Sequence, residues 1–493
     1  MNAAFTALLS HAEQTTALEQ ASALLDWDHM TQMPARGAAQ RSAQSAAIHA
    51  AIHARLSDPQ IGDWLGELEG AELPAPAARN VALIRRSYDR ATRVPGDLAT
   101  AMATAASAGY AAWTEAREAG QFAAFVPALS EVVSLAREQA DHLAQDGQSR
   151  YDALLSLYEP GASADELLPL LETLREPLSK LRAALAERPS PAPLTGPFPA
   201  EAQLNLGREV AMALGYDMEA GRIDLTVHPF CSGLGGDVRI TTRVQDDYPL
   251  DCLYSVIHET GHALYAQNAP SDRVMEPSAQ YASMGVHESQ SRLLENQIGR
   301  SRAFAEWLFP RFVETYGKGS VATPEALYAA LNHVETGFIR TEADEVHYNL
   351  HILLRAALER DLMEGTLDVA DLEAAWNARF EADFGLTVPD HVQGVLQDVH
   401  WSQGAFGYFP TYSLGNLYAA GLAEAMRGDL PDLDSRVAAG EFAPIIGWLD
   451  THVHRHANAE DPAPLMTRAM GQSLSTAPFL RYVEGKFGDL YGI

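Results

Sequence analysis

The sequence predicts a mainly α-helical fold with one small β-sheet, and three observations carry that expectation. Residues 1–185 are rich in Ala, Leu, Glu and Arg at helical spacing, with few β-branched runs. Helical periodicity returns after residue 302 and continues towards the end of the chain. Between the two regions, 236–244 is the stretch that alternates as a half-buried strand does.

In chain order, helices are expected over 3–27, 36–56, 75–91, 95–119, 123–145 and 164–188. Asp58-Pro59, Pro74 with Pro76, Pro95-Gly96 and Glu159–Ser163 supply the breaks between them. Ser163, with Glu166 three residues on, has the pattern of an N-cap for the last of these helices. Arg188–Pro199 is too rich in proline for a helix or a central strand. It is short, so it reads as a rigid crossing within one domain, 1–493, and separates an N-terminal helical region, 1–199, from the remainder, 200–493.

After a helix near 200–214, the 236–244 strand sets Val238, Ile240, Thr242 and Val244 on one face. Asp237, Arg239, Thr241 and Arg243 lie on the other. A strand at the edge of a small sheet could pair with an extended peptide. Helices follow at 302–315, 324–362 with a break, 368–382 and 412–426, and over most of 440–490. This last region holds His452-Val453-His454-Arg455-His456, which reads as a solvated surface, with metal binding as the alternative.

Composition narrows the function. Hydrophobic residues make up 47% and charged residues 20%, enough apolar material for a sizeable core. Asp and Glu number 65 against 35 Lys and Arg, a formal charge of −30, which argues against nucleic-acid or anionic-membrane partners. Cys231 and Cys252 do not make a disulfide framework, and no secretion signal or membrane-spanning stretch is evident. A cytoplasmic location is the resulting expectation.

The chemistry concentrates in His258-Glu259-Thr260-Gly261-His262. Histidines four apart on a helix face the same way and can share one tetrahedral Zn²⁺. Glu259 then sits beside the ion, placed to deprotonate a water. The stretch has no proline and carries Leu253, Val256, Ile257, Leu264 and Tyr265 at helical spacing. Gly261 weakens the helix but admits a close neighbour. A third histidine in the metzincin pattern is excluded, because Tyr265 and Asn268 stand where that pattern needs Gly and His. A second helix over 284–300 instead offers Glu288, completing a two-His, one-Glu set with an open fourth position. Glu295, two turns further on, is a candidate to orient a ligand histidine.

The chain resembles the metallocarboxypeptidases similar to thermostable carboxypeptidase Taq, the M32 family. Near the start the match includes Trp27-Asp28, Met33-Pro34 and Gly37; Tyr151–Leu155 and Tyr158–Gly161 follow. More specific blocks come in order: His228-Pro229-Phe230, Asp237–Thr241, His258–His262, His287–Gln290, Ile339–Asp344 and Gly394–Trp401. The resemblance implies a large helical zincin fold with a deep substrate groove and a small sheet beside the metal helix. That fold is similar to neurolysin and angiotensin-converting enzymes. It also implies a homodimer, with 1–199 as the lid and dimer region and 200–493 as the catalytic region. The implied activity is zinc- or cobalt-supported removal of single residues from peptides with a free C-terminus.

Such an activity needs donors for an oxyanion and a partner for an α-carboxylate. His400, Tyr412 and then Tyr408, in the stretch 400–412, are the candidates for the first. Arg340 leads for the second, with Arg239 and Gln397 behind it. Arg340 has a rival use, pairing with Asp344 at i,i+4 of one helix. His228 is read either as lining the groove or as capping a turn. Two other functions compete: an oligo- or endopeptidase of the same clan, and a non-catalytic zinc-stabilised peptide-binding protein.

Overall fold

The structure is a computed structural model that describes residues 2–493. It is mainly helical, as expected. The chain opens with α1 Ala3–Thr31, α2 Ala38–Leu56, α3 Pro59–Glu67, α4 Ala75–Arg93, α5 Gly96–Ala119 and α6 Phe122–Leu143. Shorter helices follow: α7 Arg150–Tyr158, α8 Ala164–Glu172, α9 Arg175–Ala186 and α10 Ala200–Ala213. Next come β1 Gly221–Leu225, β2 Cys231–Leu234, β3 Asp237–Thr242, α11 Pro249–Gln267 and α12 Met284–Arg292. Helices α13 Arg302–Tyr316, α14 Pro324–Leu331, α15 Tyr348–Glu364, α16 Leu372–Phe384 and α17 Pro410–Asp429 continue the chain. It ends in α18 Leu433–Ala439, α19 Ala443–His452, α20 Pro462–Met470 and α21 Ala477–Tyr491. No described helix is long and apolar enough to cross a membrane.

The chain divides into two compact units built from interleaved segments. The first is Met1–Thr92, Pro191–Leu331 and Tyr418–Ser473; the second is Arg93–Ser190, Asn332–Leu417 and Leu474–Ile493. The proline-rich crossing does carry one boundary, between Ser190 and Pro191. The expected halves 1–199 and 200–493 do not match the units, however. The leading ninety-odd residues join the segment of α11 and α12, and 332–417 joins α5 to α9.

In the first unit a three-stranded sheet, ordered β1-β3-β2, lies on α11, with α1 against β2. β3 pairs with β1 in parallel, Ile223 opposite Ile240, and with β2 antiparallel, Cys231 opposite Ile240. Of the expected inward face of β3, Val238, Ile240 and Thr242 are buried; Val244 lies past the strand's end and is half-buried, and Thr241, expected on the other face, is buried too. Ile223, Val238 and Ile240 form one core with Ala211, Tyr216, Val256, Ala263 and Ala266. As the central strand, β3 has both ladder sides occupied, so the edges of the sheet are β1 and β2. β1 and β2 went unread because they are short, and β2 contains a glycine. Helix α11 begins at Pro249, where a missing N–H costs nothing. Asp251 in its first turn takes Arg243 bidentately, at 2.6 and 2.9 Å, tying the helix start to the strand's end.

In the second unit α5 packs on α6, and α15 packs on α7 and α16. The single helix expected over 164–188 is two, α8 and α9. Pro177, in the first turn of α9, cannot donate to the carbonyl of Thr173, and the helix breaks one turn ahead of it, at Thr173–Leu174. Ser163 is the N-cap of α8 by position but makes no side-chain cap bond. The full capping box belongs to α7, where Ser149 and Asp152 bond reciprocally.

Candidate active site

Helix α11 places His258 and His262 one turn apart, and α12 brings Glu288 to both. Gly261 makes the crossing feasible. A Cβ there would lie 2.4 Å from the Cα of Ser291 and 2.5 Å from the carbonyl oxygen of Gln290. Ser283 caps α12 by accepting from the N–H of Val286, at 3.1 Å, and so fixes the start of the helix that carries Glu288.

Nε2 of His262 lies 3.5 Å, and Nε2 of His258 3.8 Å, from the same oxygen of Glu288, Oε2. One donor atom from each of the three residues lies within 4.8 Å of the others. Tetrahedral Zn²⁺ with bonds near 2 Å separates its ligands by about 3.3 Å, so the cluster is close to what an ion would draw together. The neighbours fix which atoms point inwards. Nδ1 of His258 meets Oε2 of Glu295 at 2.8 Å, which leaves Nε2 for the ion. Arg292 donates through Nε to the other oxygen of Glu288, at 2.7 Å, and through Nη1 to Glu295 at 3.3 Å. Glu288, Arg292 and Glu295 recur at helical spacing along one stripe. The helix widens into a single π turn over Leu293–Ile298, and Glu295 sits in it.

Burial alone would raise the carboxyl of Glu288, but Arg292 and both histidines hold it well below the usual carboxylate range. Glu295 is held down to about 2, again against burial, by Arg292 and His258. Glu259 is 6% exposed, and burial pushes its carboxyl up against the two histidines. That is the direction a general base for neutral pH needs. Burial also raises the thiol of Cys231 on β2, and Glu259 adds to the effect.

The second unit holds a separate constellation. Asp398 accepts from Nε of Arg340 at 3.0 Å and from Nε of Arg355 at 2.6 Å. Arg340 also donates to the hydroxyl of Tyr348, at 3.2 Å. Burial would raise Asp398, but Arg355 and Arg340 keep it well below the usual range. Two buried guanidinium groups on one carboxylate leave positive charge in excess. His400 meets Tyr412 at 3.4 Å, and its ring lies 5.3 Å from that of Tyr408. Burial, with Arg340, pushes the imidazole down to about 4, so it is neutral at pH 7. Glu359 accepts from Tyr151, Trp401 and the N–H of Gly407, anchoring the loop that carries His400 and Tyr408.

Residues 7–487 match the family model described as Carboxypeptidase Taq (M32) metallopeptidase. The chain belongs to the M32 family. It is 42% identical to thermostable carboxypeptidase 1 of Thermus thermophilus, with 99% of each chain covered. It is 34% identical to carboxypeptidase 1 of Bacillus subtilis, over 96% of this chain and 95% of the relative. Among solved structures, an M32 carboxypeptidase from Deinococcus radiodurans overlays with a TM-score of 0.97 at 38% identity, each chain fully covered. The helical fold, with its small sheet against the metal helix, is therefore an M32 fold.

In this M32 chain His258, His262 and Glu288, the expected metal set, come together, and Glu295 lies within hydrogen-bond distance of His258. His400, Tyr408 and Tyr412 also cluster. Arg340 does not pair with Asp344. Residues 340–342 form one 3₁₀ turn that ends in extended Ala343, so no i,i+4 face exists, and Asp344 accepts from His347 instead. Gln397 is spent internally: its oxygen accepts from the N–H of Arg340 and its amide donates to Phe338, Gln393 and Gly394. Arg239 grips Asp237 at 2.7 and 2.9 Å and lies over the ring of Trp27. These internal uses tell against Gln397 and Arg239 as substrate contacts. His228 is exposed, in the loop between β1 and β2. Sequence reasoning passed over Arg292, Arg355 and Arg300, the last of which donates to the other oxygen of Glu295 at 3.4 Å. The first was within reach, lying four residues after Glu288 and three before Glu295.

Proposed function

We propose that this chain is a metallocarboxypeptidase that releases the C-terminal residue of peptides, using one divalent ion, zinc or cobalt, held by His258, His262 and Glu288. The observation that carries the reading is the convergence of both Nε2 atoms on one oxygen of Glu288, with buried Glu259 next to His258. When bound, the ion supplies Lewis acidity, lowering the pKa of a water and polarising the scissile carbonyl. Glu259 accepts the proton of the attacking water and returns it to the leaving amine. Glu295 and Arg292 hold His258 and Glu288 in one orientation through the cycle.

Tyr412 is the proposed donor to the developing oxyanion, with neutral His400 beside it and Tyr408 next. Arg340 is the proposed partner of the substrate's carboxylate, and the two-to-one excess of guanidinium over Asp398 supports it. A homodimer in a reducing cytoplasm belongs to the same proposal. The two free thiols fit that compartment.

The test is turnover of an N-blocked dipeptide and of its C-amidated twin, after chelation and re-addition of zinc or cobalt. Metal-dependent release from the free acid alone is the expected outcome. Equal cleavage of both would replace the proposal with an oligo- or endopeptidase. Tight metal binding with cleavage of neither would favour a non-catalytic peptide-binding protein.

A further inference from the structure

The histidine run 452–456 is solvated only in part: Arg455 is exposed and His452 and His456 half-buried, but the middle residue, His454, is 0% exposed. Nε2 of His454 lies 2.9 Å from Oε1 of Gln290, on α12 two residues after Glu288. Nδ1 lies 3.0 Å from the amide nitrogen of Asn268, the C-cap of α11. An amide nitrogen only donates and an amide oxygen only accepts, so the ring is neutral and carries its proton on Nε2. Burial agrees, pushing the imidazole down to about 3. The ring also lies 5.4 Å from that of Tyr265, three residues after His262.

These contacts tie the two metal helices together beside their crossing. The carbonyl of Gln290 is what a side chain at position 261 would strike, so Gln290 sits at the point of closest approach. The run is itself pinned. Ala457 takes φ 47°, the left-handed region that L side chains rarely adopt, and the N–H of Asn458 donates to Ser278, ahead of α12.

We infer that His454 is a positioning residue for the metal site, holding α11 and α12 at the separation that lets Glu288 reach His258 and His262. It contributes no ligand: His258, His262 and Glu288 are the one group of three or more possible ligands that converges among the described residues. The inference rests on the metal-site reading proposed above.

The experiment loads the full-length protein with Co²⁺ and records its visible d–d absorption, with affinity taken from chelator competition. His454→Phe keeps the ring's shape against Tyr265 but removes both hydrogen bonds. It is expected to weaken Co²⁺ binding about 10- to 100-fold and to alter the cobalt band, the usual cost of losing such support. His454→Gln, which can both donate and accept, restores most of the loss. His452→Phe leaves the spectrum unchanged. Asn268→Ser, a milder change at a half-buried position, shifts the band in the same direction as His454→Phe and covers the case in which that variant fails to fold. Unchanged spectra and affinities in His454→Phe or Asn268→Ser would overturn the inference, as would an equal effect from His452→Phe. Binding insensitive to Glu288→Gln would overturn the metal-site reading first, and the positioning role with it.

Discussion

Single atoms decide much of this site. Glu259→Gln keeps the shape of the side chain and removes its basicity, so turnover should fall by at least about 10³-fold while Co²⁺ binds with near-unchanged affinity. Loss of both together would assign Glu259 to holding the helix. Gly261→Ala tests the opposite property. The added carbon meets the backbone of α12, which cannot rotate away, so the helices must part. Co²⁺ affinity should drop at least about tenfold, with far-UV circular dichroism near that of the parent. An unchanged affinity would show that the crossing has slack. The facing of His258 and His262 was legible, because their spacing follows from helix geometry. Arg340's true partner was not. Asp398 is remote in sequence, and only the folded second unit brings the two together.

At the scale of elements, helices were found by period and misjudged at prolines. Asp58-Pro59 is the expected break after α2, and it also starts the unexpected α3, with Asp58 accepting from the N–H of Gln60 at 3.0 Å and Pro59 in the first turn. The same pair of residues signals both events, and hydrophobic spacing around Ile61 and Leu65 was the tie-breaker. α15 carries a different lesson, a buried acid with no cation bonded to it. Burial pushes Glu359 up to about 8, against the pull of its three donors. A carboxyl raised above its unfolded value stabilises the fold below about pH 4.5, and that contribution is lost as pH rises through about 8. Glu359→Gln, an isostere of the protonated form, should therefore flatten the decline of Tm between those limits. The difference from the parent should be on the order of a few kcal/mol at pH 9. Parallel profiles would mean the three hydrogen bonds keep Glu359 ionised throughout.

At the scale of the whole molecule, the amino-acid pattern revealed a helical protein and one crossing, but not the interleaving of its units. Periodicity reports which face of a helix is buried, not against which distant segment. The interleaving has a measurable result, because the three proposed metal donors lie in the first unit. An ion at a thousand times its Kd adds about 4 kcal/mol to the state that binds it. Chelation should thus speed hydrogen exchange most in α11 and α12, and least in α15 and α16. Uniform acceleration would show that the units open as one.

The π turn at Leu293–Ile298 carries a consequence for the history of the chain. A π turn is an α-helix holding one surplus residue. Deleting one amino acid ahead of Glu295 would let the helix close its regular bonds, and the regular form is the commoner and better-bonded one. It would also swing Glu295 about a quarter-turn around the axis, off His258. Copies of this gene released from selection for turnover should shed that codon, while working copies keep the poorer helix.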